Sequence, residues 1–182
     1  YRLPKTIEDD IHIIPHGNYE MYPNDRSGDS PINVYTPSEG ICYLHFGSIK
    51  PYKGTVELAE TFLEVARDED RLIVAGRQSD EDYTTELKSI VSDDPRITLR
   101  LGYVENRAFQ YYADAADIVA LPYQNIFTSG VAHLSLSFGL PVLGPKMGCL
   151  PETVPDQAGI LYDSDELKDS LIEARSFDYD TA

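Results

Sequence analysis

Short apolar runs and longer amphipathic stretches alternate along most of this chain. The runs are "IHIIP" (11–15), "CYLHF" (42–46), "RLIVAG" (71–76), "ITLRLG" (97–102), "DIVALP" (117–122), "PVLGP" (141–145) and "GILYD" (159–163). Each is too short for a buried helix and is followed by turn residues, so each predicts a strand. Between them, Val56, Ala59, Phe62, Leu63 and Ala66 recur at helical spacing, and Tyr83, Leu87, Ile90 and Val91 do so less regularly. Strands that are apolar almost throughout and alternate with helices predict a parallel sheet covered on both faces, an α/β fold of the doubly wound, Rossmann-like kind. The segment 18–40, rich in Pro, Gly, Asn and Asp, reads as a long loop with one short strand at "INVY" (32–35).

Composition narrows the partners. The 182 residues suffice for one α/β domain or for half of a two-domain enzyme. A net charge of −16, from 31 acidic and 15 basic residues, repels nucleic acid and anionic lipid. The acids are scattered, as in "RDEDR" and "SDEDY", which suits a solubilising surface in a salt-rich, halophilic cytoplasm better than an acidic tail. No apolar run is long enough to span a membrane and the first residues carry no signal-peptide core, so a cytoplasmic location is expected. Cys42 and Cys149 are far apart and match no metal or disulfide spacing.

Against that acidic background, the basic residues near the strand ends stand out. In doubly wound sheets, ligands bind where the carboxyl ends of strands lead into helix N-termini. Those loops here are "GSIKPYKG" (47–54), "GRQSD" (76–80), "GYVEN" (102–106), "PYQNIFTSG" (122–130) and "GPKMGCLPE" (144–152). Glycines allow close backbone approach, helix-start amides favour anions, and Lys50, Lys53, Arg77 and Lys146 add positive charge. A phosphate-bearing ligand fits this set, with the lysines holding a diphosphate; the alternative is that Lys50 and Lys53 pair with helix carboxylates such as Glu57. Neither a P-loop nor a G-x-G-x-x-G motif occurs.

A second anion site is expected at "NIFTSGVAHLSLSFG" (125–139), where Thr128 or Ser129 can cap a helix and the amides of Ser129, Gly130 and Val131 would lie in its first turn. That helix is apolar nearly all round and should be buried. Among the histidines, His16 in "PHGN" lies at a strand end where it could touch a ligand. His12 and His45 lie within strands and read as core or edge residues, and His133 sits one turn into the apolar helix. No His, Cys or carboxylate cluster has metal-ligand spacing, so neither a metal nor another cofactor is expected.

The ordered set "IPHGN", "FGSIKPYKG", "LIVAGR", "ITLRLGYV", "YYADAADIVALPY", "TSGVAHLSLSFGLPVLGP", "GCLPETV" and "GILYD" resembles the carboxyl-terminal, nucleotide-sugar-binding domain of GT-B retaining glycosyltransferases of family 4. The resemblance covers nearly all of 1–182 and implies a single donor domain. Its partner would be an amino-terminal acceptor domain outside this chain, in an enzyme that could associate peripherally with membranes. The substrate implied is a UDP- or GDP-sugar, and the reaction is transfer with retention of anomeric configuration.

By the same resemblance, Lys53 matches the lysine that contacts the donor diphosphate. The arginine usual earlier in that loop, which begins at Gly47, falls on Ser48, leaving Lys50 or Arg77 to supply a second charge. Tyr103 and Val104 match the segment against the base, Thr128, Ser129, Gly130 and Val131 the loop that meets sugar and phosphate, and Glu152, in "CLPE", a glutamate following the glycine-rich strand end. The family's two glutamates, eight positions apart, fall on Ile126 and Leu134, which cannot make their hydrogen bonds; Thr128, Ser129 or His133 could substitute, and a degenerate, non-catalytic domain would look the same.

Overall fold

A computed structural model describes residues 17, 19, 39–163 and 165–179. The expected strands at 11–15 and 32–35, and His12 and His16, lie outside the described residues. The other six runs are all strands: β1 (Cys42–Phe46), β2 (Arg71–Gly76), β3 (Ile97–Leu101), β4 (Ile118–Ala120), β5 (Val142–Pro145) and β6 (Gly159–Tyr162). They form one parallel sheet in the order β3-β2-β1-β4-β5-β6. The chain moves outward from β1 through β2 to β3, then returns to the other side of β1 with β4. The β1–β4 junction is therefore the switch point at which a doubly wound sheet opens a crevice.

Helices α1 (Thr55–Val65), α2 (Glu81–Val91) and α6 (Leu167–Glu173) belong to one face, and α3 (Phe109–Ala113), α4 (Gly130–Ser137) and α5 (Leu150–Thr153) to the other. Alternation along β1 sorts the core. Tyr43 packs into one apolar cluster with Leu58, Phe62 and Leu87, while Cys42, Leu44 and Phe46 enter the other with Phe109, Tyr112 and Leu134. Each fully buried large aliphatic contributes about 2 kcal/mol relative to exposure. In α1 the buried set is Val56, Leu58, Ala59 and Phe62, while Leu63 is only partly covered, so the apolar stripe is rotated from the expected one.

Two polar ties fix the start of α1 where the site begins. His45 is buried in β1; its Nδ1 donates to the Ala120 carbonyl at 3.0 Å, so its Nε2 accepts from the Thr55 hydroxyl, also at 3.0 Å. That links β1, the end of β4 and the first turn of α1. The Tyr83 hydroxyl accepts the Val56 amide at 2.9 Å, satisfying one of the donors that a helix start leaves open.

Candidate active site

The lysine loop leaves β1 at Gly47 and closes with a single 3-10 turn, Pro51–Lys53, before Gly54 starts α1. Gly54 has φ +68°, and a Cβ there would collide with the Pro122 carbonyl oxygen. Only glycine permits both this backbone and this contact. The lysine loop is thereby laid against the loop that leaves β4, and the Gln124 amide donates to the Tyr52 carbonyl at 3.0 Å across the junction.

Lys53 is half-buried, with its ammonium 3.9 Å from the centroid of the Tyr123 ring and 5.5 Å from that of Tyr52; Lys50 lies 5.9 Å from the Tyr52 ring. Burial, reinforced by the charge of Lys50 and opposed by nearby Cys149, brings the Lys53 ammonium down to a pKa of about 8. Among the described residues, none of Lys50, Lys53 and Arg77 forms an ion pair. Glu57, their alternative partner, instead accepts from the Gln124 side chain at 3.0 Å. A partly desolvated cation without a counter-ion is an electrostatic invitation to an anion.

The Tyr123 hydroxyl lies 3.1 Å from Ser129 Oγ, and that oxygen accepts the Ala132 amide at 3.2 Å. Ser129 is thus the N-cap of α4, and the exposed Thr128 is not. Lys53, Tyr123, Ser129 and the α4 N-terminus form one continuous arrangement, with the lysine charge and the helix dipole both favouring negative charge. Of the residues in α4, Ala132, Leu134 and Ser135 are buried and the rest only partly covered, so the helix sits less deeply than its composition predicts.

Two pockets flank this arrangement. One, of about 380 Å³, is lined by the glycines and polar groups at the ends of β1 and β2 (Gly47, Ser48, Gly76, Arg77), by Tyr103 and Val104 after β3, and by Gly130, Val131 and Leu134 of α4, with Phe46 and Tyr19. The other, of about 590 Å³, is lined by Tyr52, Lys53 and residues 125–128. The structure therefore brings together Gly47, Ser48, Arg77, Tyr103, Val104, Gly130 and Val131 in one pocket, and Lys53 and Thr128 in its neighbour.

Other expected residues fall elsewhere. His133 lines neither pocket, and Glu152 is an exposed residue of α5 that also lines neither. Lys146 is engaged by Asp163 at 2.9 Å and borders a separate pocket with Pro151, Asp156 and Phe177. It is a surface ion pair and not part of the anion site. Sequence reasoning missed Tyr52, Tyr123 and Phe127, which lie in strand-end loops where no periodic pattern marks them. Leu134 is buried and Ile126 partly so, which places apolar side chains where the resemblance put carboxylates. Among the described residues, no group of three or more His, Cys, Asp or Glu could hold a metal ion, and no helix is long and apolar enough to cross a membrane.

A parallel sheet with a crevice at its switch point, two glycine-rich loops and cations without ion pairs among the described residues defines a Rossmann-like α/β domain with a ligand crevice at its strand ends. Residues 41–176 match the family described as "Glycosyl transferases group 1", and the chain belongs to that family. A GDP-mannose:glycolipid 4-beta-D-mannosyltransferase of Xanthomonas campestris pv. campestris is 34% identical over 102 residues, 56% of this chain and 29% of that protein. A D-inositol 3-phosphate glycosyltransferase of Segniliparus rotundus is 30% identical over 169 residues, 85% of this chain and 36% of that protein. The chain thus spans about a third of the length of these curated relatives.

Among solved structures, the C-terminal domain of a group 1 family glycosyl transferase from Francisella tularensis superposes with a TM-score of 0.63 at 21% identity, covering 78% of this chain and 81% of that one. An Anabaena protein solved with UDP-glucose gives a TM-score of 0.62 at 18% identity, over 78% of this chain and 42% of that one. These likenesses establish the fold.

Proposed function

We propose that this chain is the donor-binding domain of a glycosyltransferase that uses a nucleoside diphosphate sugar, with an amino-terminal acceptor domain outside the chain. The observation that carries the reading is the unpaired, partly desolvated Lys53 beside the capped N-terminus of α4. A diphosphate would lie between them, with its nucleoside directed to the pocket lined by Gly47, Gly76, Arg77 and Tyr103. As the sugar leaves, charge grows on the diphosphate, and Lys53, assisted by Lys50 or Arg77 and the α4 amides, would stabilise it. No metal is needed for that step in this reading. GDP-mannose in the name of the Xanthomonas relative and UDP-glucose in the Anabaena complex support a UDP- or GDP-sugar.

Retention of anomeric configuration is the outcome the family resemblance implies. Proton NMR of the fresh product of the intact enzyme decides it, and a product of the opposite anomer to the donor overturns it. The glycolipid in the name of the Xanthomonas relative fits an intact enzyme working at the cytoplasmic face of a membrane.

Calorimetric titration of the chain with UDP and GDP, in salt high enough to screen its acidic surface, tests the donor site. One of them should bind saturably, and Lys53→Ala should weaken it by about tenfold or more. The apolar Ile126 and Leu134 favour the second reading, a fold that keeps the architecture without catalysis. Binding unaffected by Lys53→Ala, or no binding by the folded chain, would turn the assignment to that reading.

A further inference from the structure

Phe127 is 89% exposed, the most exposed of the large hydrophobic side chains among the described residues. It neither caps α4, which Ser129 does, nor belongs to either core cluster. Its ring instead walls the larger of the two flanking pockets, together with Tyr52, Lys53, Asn125, Ile126 and Thr128. An aromatic ring held in water beside a cation and a concave surface marks a place for a ligand with its own apolar face.

The backbone identifies that ligand. The same two loops border both pockets. The lysine loop gives Gly47 and Ser48 to the smaller pocket and Tyr52 and Lys53 to the larger; the loop before α4 gives Gly130 and Val131 to the smaller and residues 125–128 to the larger. The loops are tied by the Gln124–Tyr52 backbone hydrogen bond, so the two pockets adjoin along the same pair of loops, and we read them as the two ends of one trough. Lys53 and the α4 N-terminus lie along it. With the nucleoside at the smaller end and the diphosphate at Lys53, the group on the far phosphate enters the larger end. That end carries no charge apart from Lys53: no carboxylate lines it, and its other polar residues are Asn125 and Thr128.

We propose that Phe127 is the platform on which the transferred sugar lies, taking the C–H face of the pyranose ring against its own face. This rests on the donor-domain reading. A ring face contacts carbon-bound hydrogens without requiring any particular hydroxyl, so this end of the trough selects by the shape of the sugar ring, where a carboxylate would select by hydroxyl pattern. Tyr52, on the opposite loop and 43% exposed, closes the other side.

The test compares nucleoside diphosphates with their sugars on the same protein. Wild type, Phe127→Ala, Phe127→Leu and Phe127→Tyr are titrated calorimetrically with UDP, UDP-glucose, GDP and GDP-mannose, each variant's fold being checked by circular dichroism. With whichever base the wild type binds, Phe127→Ala should weaken the nucleotide sugar about fivefold while leaving the bare diphosphate within about twofold. Phe127→Tyr should restore the sugar's contribution, and Phe127→Leu should fall between. Equal loss for diphosphate and nucleotide sugar, or no loss for either, overturns the inference and leaves the donor site standing. A folded wild type that binds none of the four overturns the donor-domain reading and this inference with it.

Discussion

Lys53 holds the residue-scale argument together, because its environment sets both its charge and its pH dependence. Its pKa of about 8 lies below the 10.5 of a free lysine, so the native state is penalised while the ammonium is charged, and its contribution to stability improves as pH rises from about 8 towards 10.5. Anion binding runs the other way, since only the ammonium attracts a diphosphate. Nucleotide-sugar affinity should therefore be full below pH 8 and fall above it. At pH 8 binding should take up a fraction of a proton, detectable as a calorimetric enthalpy that varies with the ionisation enthalpy of the buffer. Lys53→Ala should abolish that uptake; uptake that persists in the variant would assign it to another group. Lys53 was legible in the sequence because a lysine beside a glycine, between strand and helix, has few structural uses. Tyr123 and Phe127 were not: both lie in one irregular loop, where no period tells which way a ring points. One is 3% exposed and the other 89%.

Among the elements, the six described strands follow the hydrophobic pattern closely because parallel strands covered on both faces leave little freedom in their composition, although β3, at the sheet edge, is only partly buried. Differences concentrate at ends. Strand β4 is shorter than the run "DIVALP": Asp117 precedes it, accepting the Cys42 amide at 2.7 Å, and Leu121 and Pro122 already belong to the exit loop. The stripe on α1 is rotated towards Leu58 because the helix start is fixed from outside the helix, by Gly54 against Pro122 and by Thr55 on His45. That last tie carries a prediction. Burial lowers His45 to a pKa of about 4, more than the hydrogen bond to Ala120 and the distant lysine charge alter it, and the ring is neutral when its acceptor role to Thr55 is filled. The folded pKa is below the unfolded value of 6.5, so stability is full above pH 6.5 and is lost as pH falls towards 4, by roughly 3 kcal/mol at the lower limit. Urea unfolding of the wild type and His45→Gln at several pH values should show the variant less stable at pH 7 but with a shallower decline between 6.5 and 4; parallel declines would remove His45 from the acid response.

For the whole molecule, charge is the dominant fact. Several cations are paired within the structure, as Arg175 is with the buried Asp70 at 2.9 Å and Arg96 with Asp94 at 2.8 Å, while among the described residues Lys50, Lys53 and Arg77 form no ion pair, and Lys53 and Arg77 line the two pockets. A net charge of −16 makes the remaining surface self-repelling. The thermal midpoint should rise between ~0.1 M and ~2 M sodium chloride as that repulsion is screened, and a midpoint that falls would show that specific ion pairs outweigh it. The β1–β4 junction has a further consequence, for synthesis. The two strands pair across 75 residues, as Tyr43 does with Ile118, and the walls of the trough come from opposite sides of that junction. A nascent chain can complete the lysine loop and its neighbouring strands while the second wall is still inside the ribosome. Occupancy of the trough therefore reports that the late half has docked on the early one, and a nucleotide sugar present during synthesis would hold back the reopening of that seam without hastening its first closure.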